Sequence, residues 1–165
     1  MQKVNSLQGK WRSVVFFLAA LLVVVADQLS KMWIRSNLVV GQSLPEMGFF
    51  RLTHVQNTGA AFGLFRDQSF ILAIVALVGI IVLIVYALLI YRYFPFLDNL
   101  LCKSALGLVL GGTVGNLIDR VRLGYVTDFI DVGIWPSFNI ADSAIVVGII
   151  VFVYSLLRLA QAEKQ

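Results

Sequence analysis

Four stretches of the chain are almost unbroken in apolar residues, and the polar residues gather between them. The runs are Val14–Ala26, then Phe70–Tyr91, Leu100–Ile118 and Ile140–Leu159. The last three hold 22, 19 and 20 residues. At about 1.5 Å per residue, each matches a hydrocarbon core roughly 30 Å thick. The first run has only 13 apolar residues behind Lys3, Lys10 and Arg12, and Val24-Val25-Ala26 imitates a signal-peptide cleavage site. Against that imitation, Asp27 and Lys31 stand at i,i+4, and Leu29, Met32, Trp33 and Ile34 continue an apolar stripe to about residue 33. The pattern therefore predicts an all-α membrane protein with four transmembrane helices, at about 14–33, 70–91, 100–118 and 140–159.

Residues 35–69 form the longest connection. Within it "FFRLTHVQ" (Phe49–Gln56) is short and β-rich enough for a strand and "NTG" (Asn57–Gly59) is a turn signal, so a small extracytoplasmic β-sheet is expected between helices 1 and 2. Of the 13 Lys and Arg residues, seven fall in the two tails and the second short connection: Lys3, Lys10, Arg12, Arg92, Lys103, Arg158 and Lys164. This bias puts both termini in the cytoplasm. Trp11, Trp33, Trp135, Tyr91, Tyr93 and Tyr125 sit near span ends, where interfacial aromatics belong.

Composition narrows the class further. The chain is 59% hydrophobic and 13% charged, with a mean hydropathy of +0.89. A soluble domain carries about 25% charged residues. With 165 residues the expectation is a single integral-membrane domain over 1–165. A net charge of +4 on so little polar surface reads as topology signalling and not as nucleic-acid binding. The lone Cys102 excludes a disulfide framework, and the lone His54 excludes a His-rich zinc centre.

The polar residues then converge. In this topology Asp27, Asn57, Asp67, Asn116, Asp119, Arg120, Asp128, Asp131, Asn139 and Asp142 all lie at or near the outer membrane face, and they include six of the nine acidic residues. Each has a bland reading. Asn139 is a good N-cap, and Asp142 three residues on complements the helix dipole. Asp119 beside Arg120 reads as an ion pair or a helix-end anchor, Asp27 with Lys31 as a pair on one helix face, and Asp131 as a solvated loop charge. His54 reads as a strand residue and Asn57 as a turn residue. Gly107, Gly111 and Gly115 make a small-residue ridge along helix 3 that admits a close neighbour.

Two carboxylates held close in a poorly hydrated place cannot both ionise easily. One stays protonated while the other serves as base, and the pair titrates as a unit. Such a pair can activate water and cleave an amide without metal, Ser or Cys. Three rivals stand beside this chemistry: a small four-helix transporter or exporter, a non-catalytic membrane scaffold, and a divalent-cation site of Asp128, Asp131 and Asp142.

The ordered blocks "DQLSK" (Asp27–Lys31), "QNTGAAFG" (Gln56–Gly63), "GGTVGNLIDR" (Gly111–Arg120), "VTDFID" (Val126–Asp131) and "FNIADSAI" (Phe138–Ile145) resemble the motifs of bacterial lipoprotein signal peptidase, signal peptidase II. The resemblance covers nearly the whole chain. It implies an aspartic endopeptidase of the bacterial cytoplasmic membrane that cuts before the diacylglyceryl-modified cysteine of prolipoproteins. The implied catalytic pair falls on Asp128 and Asp142. Asp27, Lys31, Asn57, Gly59, Asn116, Asp119, Arg120 and Asn139 fall on substrate-binding or site-supporting positions. No metal or cofactor is implied. The implied partners are lipid-modified precursors and membrane lipids, and a monomer is expected.

Overall fold

The computed structural model describes residues 2–59, 65, 67–88 and 98–162, without the side chains of residues 2–10 and 162. Four helices form the body: α1 (Gln2–Asn37), α2 (Ser69–Leu88), α3 (Leu100–Leu123) and α4 (Ile140–Ala162). All four are long and apolar enough to cross a membrane. Tyr91, Arg92 and Tyr93, as well as Ala60–Gly63 of the second motif, lie outside the described residues.

The helices divide into lipid-facing and buried members. α2 exposes Phe70, Val75 and Val82 along its length, as expected of a helix surrounded by acyl chains. By contrast α3 is the central post, burying Ala105, Leu106, Leu110, Gly111, Gly112 and Asn116. Phe16 and Ala20 of α1 pack with Leu106 and Leu110 of α3 and with Ala87 of α2.

Small residues let the backbones touch. A Cβ on Gly107 would stand 2.5 Å from the Phe16 carbonyl oxygen, and one on Gly111 2.5 Å from that of Ala20, so both glycines face α1. Gly112, one position round the helix, meets the Ala141 carbonyl of α4, and Gly148 of α4 faces the Ala105 carbonyl at 2.7 Å. In lipid, where burying apolar surface gains little, such close backbone approach is the main source of helix association. The ridge expected on helix 3 is thus one of two: a second small-residue contact binds α3 to α4.

β1 (Ser43–Leu44), β2 (Arg51–Asn57) and β3 (Val126–Asp131) form an antiparallel sheet in that order. The sheet is larger than the one expected between helices 1 and 2, because its third strand comes from between α3 and α4. β2 and β3 pair from Arg51↔Asp131 to Asn57↔Val126, with a register shift between Leu52 and Val55. Phe129 of β3 packs on Ile34 and Leu38 at the end of α1, which seats the sheet on the helical body.

After Asp131 the chain doubles back. Phe138 bridges Ile130, and its carbonyl accepts from the Phe129 and Ile130 amides at 3.0 and 2.7 Å. This return sets the shape of the connection into α4: Asn139 and the α4 N-terminus are delivered beside β3.

Candidate active site

Asn139 is the hinge of the site. Its Oδ1 accepts from the Asp142 amide at 2.9 Å, and the Asp142 Oδ2 accepts from the Asn139 amide at 3.2 Å. The two residues therefore cap α4 reciprocally, and Asp142 is anchored where the helix dipole favours negative charge. The bland reading of this pair is correct as far as it goes. What it misses is the other half of Asn139. Its Nδ2 donates to Asp128 Oδ1 at 2.7 Å, and also to Asn116 Oδ1 at 3.1 Å. One buried residue thus holds both carboxylates.

Asp128 belongs to β3 and not to a loop. Its Oδ2 accepts from Asn57 Nδ2 at 2.9 Å, across the strand pair. Asp142 Oδ1 accepts from Asn116 Nδ2 at 2.8 Å. Asp128 is only 2% exposed, and burial above all, then the negative charge of Asp142, pushes its carboxyl up to about 7 against the pull of the Asn57 and Asn139 donors. A carboxyl so placed holds a proton near neutral pH.

The remaining polar residues form the floor beneath. Lys31 is fully buried, with its Nζ 2.9 Å from Asp27 Oδ2, 3.5 Å from Asp119 Oδ2 and 2.9 Å from Asn116 Oδ1. Asp27 does more than pair on its own helix: its Oδ1 accepts the Ala141 amide at 3.0 Å, capping α4 from α1. Asp119 does not pair with Arg120, because adjacent helical residues point away from one another. It takes Lys31, then Arg35 at 3.4 Å and the Thr127 amide at 2.9 Å. Arg120 instead donates to the Gly59 carbonyl at 3.3 Å, and the Gly59 amide donates to Asn57 Oδ1 at 2.9 Å.

Asp131 is the exception. It is buried and not a solvated loop charge: Arg51 lies 2.6 Å away, Thr53 3.2 Å, and the Gly133 amide 2.8 Å. That amide, together with Arg51 and Thr53, holds its carboxyl below the usual range. Alternation along β3 turns Asp131 to the opposite face from Asp128, so the three-carboxylate cation cluster is not assembled. Among the described residues no three His, Cys, Asp or Glu side chains are grouped to hold a metal ion. His54 is a buried strand residue whose Nδ1 lies 2.8 Å from the Leu38 carbonyl.

A cavity of about 1290 Å³ opens over this network. Asn57, Gly59, Asn116, Arg120, Asp128 and Asp142 line it, while Phe138, Ile145 and Val146 supply an apolar wall. Asp27, Lys31, Asp119 and Asn139 lie behind the lining, each at most 1% exposed. The structure therefore gathers Asp128, Asp142 and the eight supporting positions that the resemblance implies in and behind one cavity, and leaves Asp131 outside it. It adds three that sequence reasoning missed: Gln28, which donates to the Gly115 carbonyl at 3.1 Å, and Arg35 and Thr127, joined at 3.0 Å. Arg35 lies outside every motif block, and although Thr127 stands within "VTDFID", no pattern there marks its hydroxyl as a partner of α1. Arg35 stands 84 residues from Asp119 and 92 from Thr127 in the chain.

Comparison with known proteins decides the family. A model described as signal peptidase (SPase) II matches residues 19–158. The chain belongs to the signal peptidase II family. It is therefore a peptidase, and its four apolar helices make it a multi-pass bacterial membrane protein. It is 54% identical to the lipoprotein signal peptidase of Dehalococcoides mccartyi over 84% of this chain and 86% of that one. It is 51% identical to that of Moorella thermoacetica over 86% and 92%. A solved bacterial membrane enzyme superposes with a TM-score of 0.78 at 33% identity, covering 87% of each chain.

Proposed function

We propose that this signal peptidase removes signal peptides from diacylglyceryl-modified prolipoproteins by aspartic catalysis, with Asp128 and Asp142 as the catalytic pair. The observation that carries the reading is Asn139 holding both carboxylates at the wall of one cavity. Near neutral pH the pair keeps one proton, on Asp128, because burial there resists ionisation. A water bound between the carboxylates loses its proton to Asp142 as its oxygen attacks the scissile carbonyl carbon. Asp128 passes its proton to the carbonyl oxygen. In the collapse of the resulting diol, the proton on Asp142 moves to the amide nitrogen, the C–N bond breaks, and the diol returns a proton to Asp128. The products are a carboxylic acid and an amine, and the pair is restored.

The apolar wall beside the carboxylates suits a signal helix and a lipid anchor arriving along the membrane. The cavity lies at the sheet end of the bundle, and positive charge at the opposite end puts both termini in the cytoplasm, so the site faces outward. One chain supplies the whole site, which favours a single 1–165 domain acting as a monomer. A transporter reading has no support, because the buried charges cluster at helix ends and not along a path through the spans. The test is cleavage by purified enzyme in detergent, followed by gel shift. The diacylglyceryl-modified precursor is expected to be cut and the unmodified form to survive. Equal rates on both would remove lipid recognition, and no cut in either would remove the proposal.

A further inference from the structure

Thr127, the residue before Asp128, is fully buried and gripped on three sides. Its amide donates to Asp119 Oδ2 at 2.9 Å, its hydroxyl accepts from Arg35 Nη1 at 3.0 Å, and its carbonyl accepts from Asn139 Nδ2 at 3.4 Å. The same Arg35 nitrogen lies 3.4 Å from Asp119 Oδ1. A single guanidinium at the end of α1 therefore touches α3 and β3 together. Side chains alternate along a strand, so Thr127 and Phe129 face the helical body while Asp128 faces the cavity. Phe129 packs on Ile34 and Leu38, flanking Arg35 on α1. Whatever fixes Thr127 against α1 fixes the direction in which Asp128 points.

We propose that Arg35 is a positioning residue for Asp128, acting through the Thr127 hydroxyl: it latches the strand bearing one catalytic carboxylate to the helix bearing Asp27 and Lys31. Arg35 touches neither carboxylate of the pair, and its side chain is 23% exposed. A planar, forked cation suits the task because it can serve two acceptors on different elements from one position. Losing the latch leaves the carboxylate chemistry in place and loosens its aim, and small misplacement of a reacting group is costly.

This inference rests on the reading of Asp128 as catalytic. The test uses full-length enzyme in detergent with lipidated precursor, comparing Arg35→Gln, Thr127→Val and the double variant. Each single is expected to lower kcat roughly tenfold. KM should stay within about twofold of wild type, because the substrate wall is untouched. The double should be no slower than the slower single, and Thr127→Ser, which keeps the hydroxyl, should retain the wild-type kcat. Wild-type kcat per folded molecule in Arg35→Gln overturns the proposal, as do multiplicative losses in the double. Arg35→Gln decides alone if Thr127→Val does not fold, since Asp119 keeps Lys31 as its partner. Turnover in Asp128→Asn would remove the catalytic pair itself, whatever the Arg35 variants show.

Discussion

Replacing Asp128 by Asn isolates the proton that the site is built to hold. In the folded chain burial raises this carboxyl from 3.8 to about 7. By linkage, ionising it inside the protein costs about 4 kcal/mol more than ionising it in the unfolded chain. The sign follows from the direction of the shift. Stability contributed by the neutral group is fully present below the unfolded value of 3.8 and is lost as pH rises through 7. Asn is neutral at every pH and escapes that loss. Like a protonated Asp, it offers one acceptor where Asn57 and Asn139 both donate, at a cost of about 1–3 kcal/mol that both species share. The variant should therefore match wild type in thermal stability near about pH 4 and exceed it increasingly towards about pH 8. Each ~1 kcal/mol gained raises Tm by about 2–4 °C in a chain of this size. Turnover should fall by at least roughly 10³-fold, since Asn neither donates nor shares the proton. The assay is a pair of thermal melts across pH, with precursor cleavage normalised to folded enzyme. A stability difference that is flat across pH would refute burial as the source of the proton affinity. A well-folded, active variant would refute the catalytic role.

Three further outcomes probe separate parts of the structure. Asp119→Asn strips a buried carboxylate from Lys31 and Arg35 and should cost about 3–5 kcal/mol, read as a lower melting temperature, while some turnover per folded molecule survives; a stable but inactive variant would instead place Asp119 in the chemistry. Gly112→Ala drives a methyl into the Ala141 carbonyl and to 2.7 Å from Ile145 Cγ1, so a loss of about 1–3 kcal/mol in melting experiments is expected, with reduced activity because Ala141 leads into Asp142; wild-type behaviour would show that α3 and α4 can separate without harm. A cysteine at Glu46, in a Cys102→Ser background, should react with an impermeant thiol reagent in intact spheroplasts, and labelling only after lysis would invert the orientation.

The spans, and the cap that opens α4, were legible in the chain itself because both are local. Twenty apolar residues in a row need no tertiary context to declare a membrane helix, since unpaired backbone is intolerable in lipid. Asn139 and Asp142, three apart at a helix start, already read as an N-cap and an acid that complements the helix dipole, and the resemblance of the ordered blocks implied Asp128 and Asp142 as the pair. Other readings failed where a residue's partner lies far along the sequence. Asp119 stands next to Arg120 yet pairs with α1, because neighbours on a helix diverge by about 100°. Asp131 reads as a solvated loop charge until β3 turns it onto Arg51 and Thr53. The third strand was invisible because β3 has meaning only once β2 lies beside it, and their paired residues stand 69 to 80 apart in the chain. Sequence alone determined which groups are present and that they gather towards one end of the helices. Only the tertiary structure decided that one asparagine would hold both carboxylates, because that requires β3, α3 and α4 to meet, and no local pattern encodes where three distant segments meet.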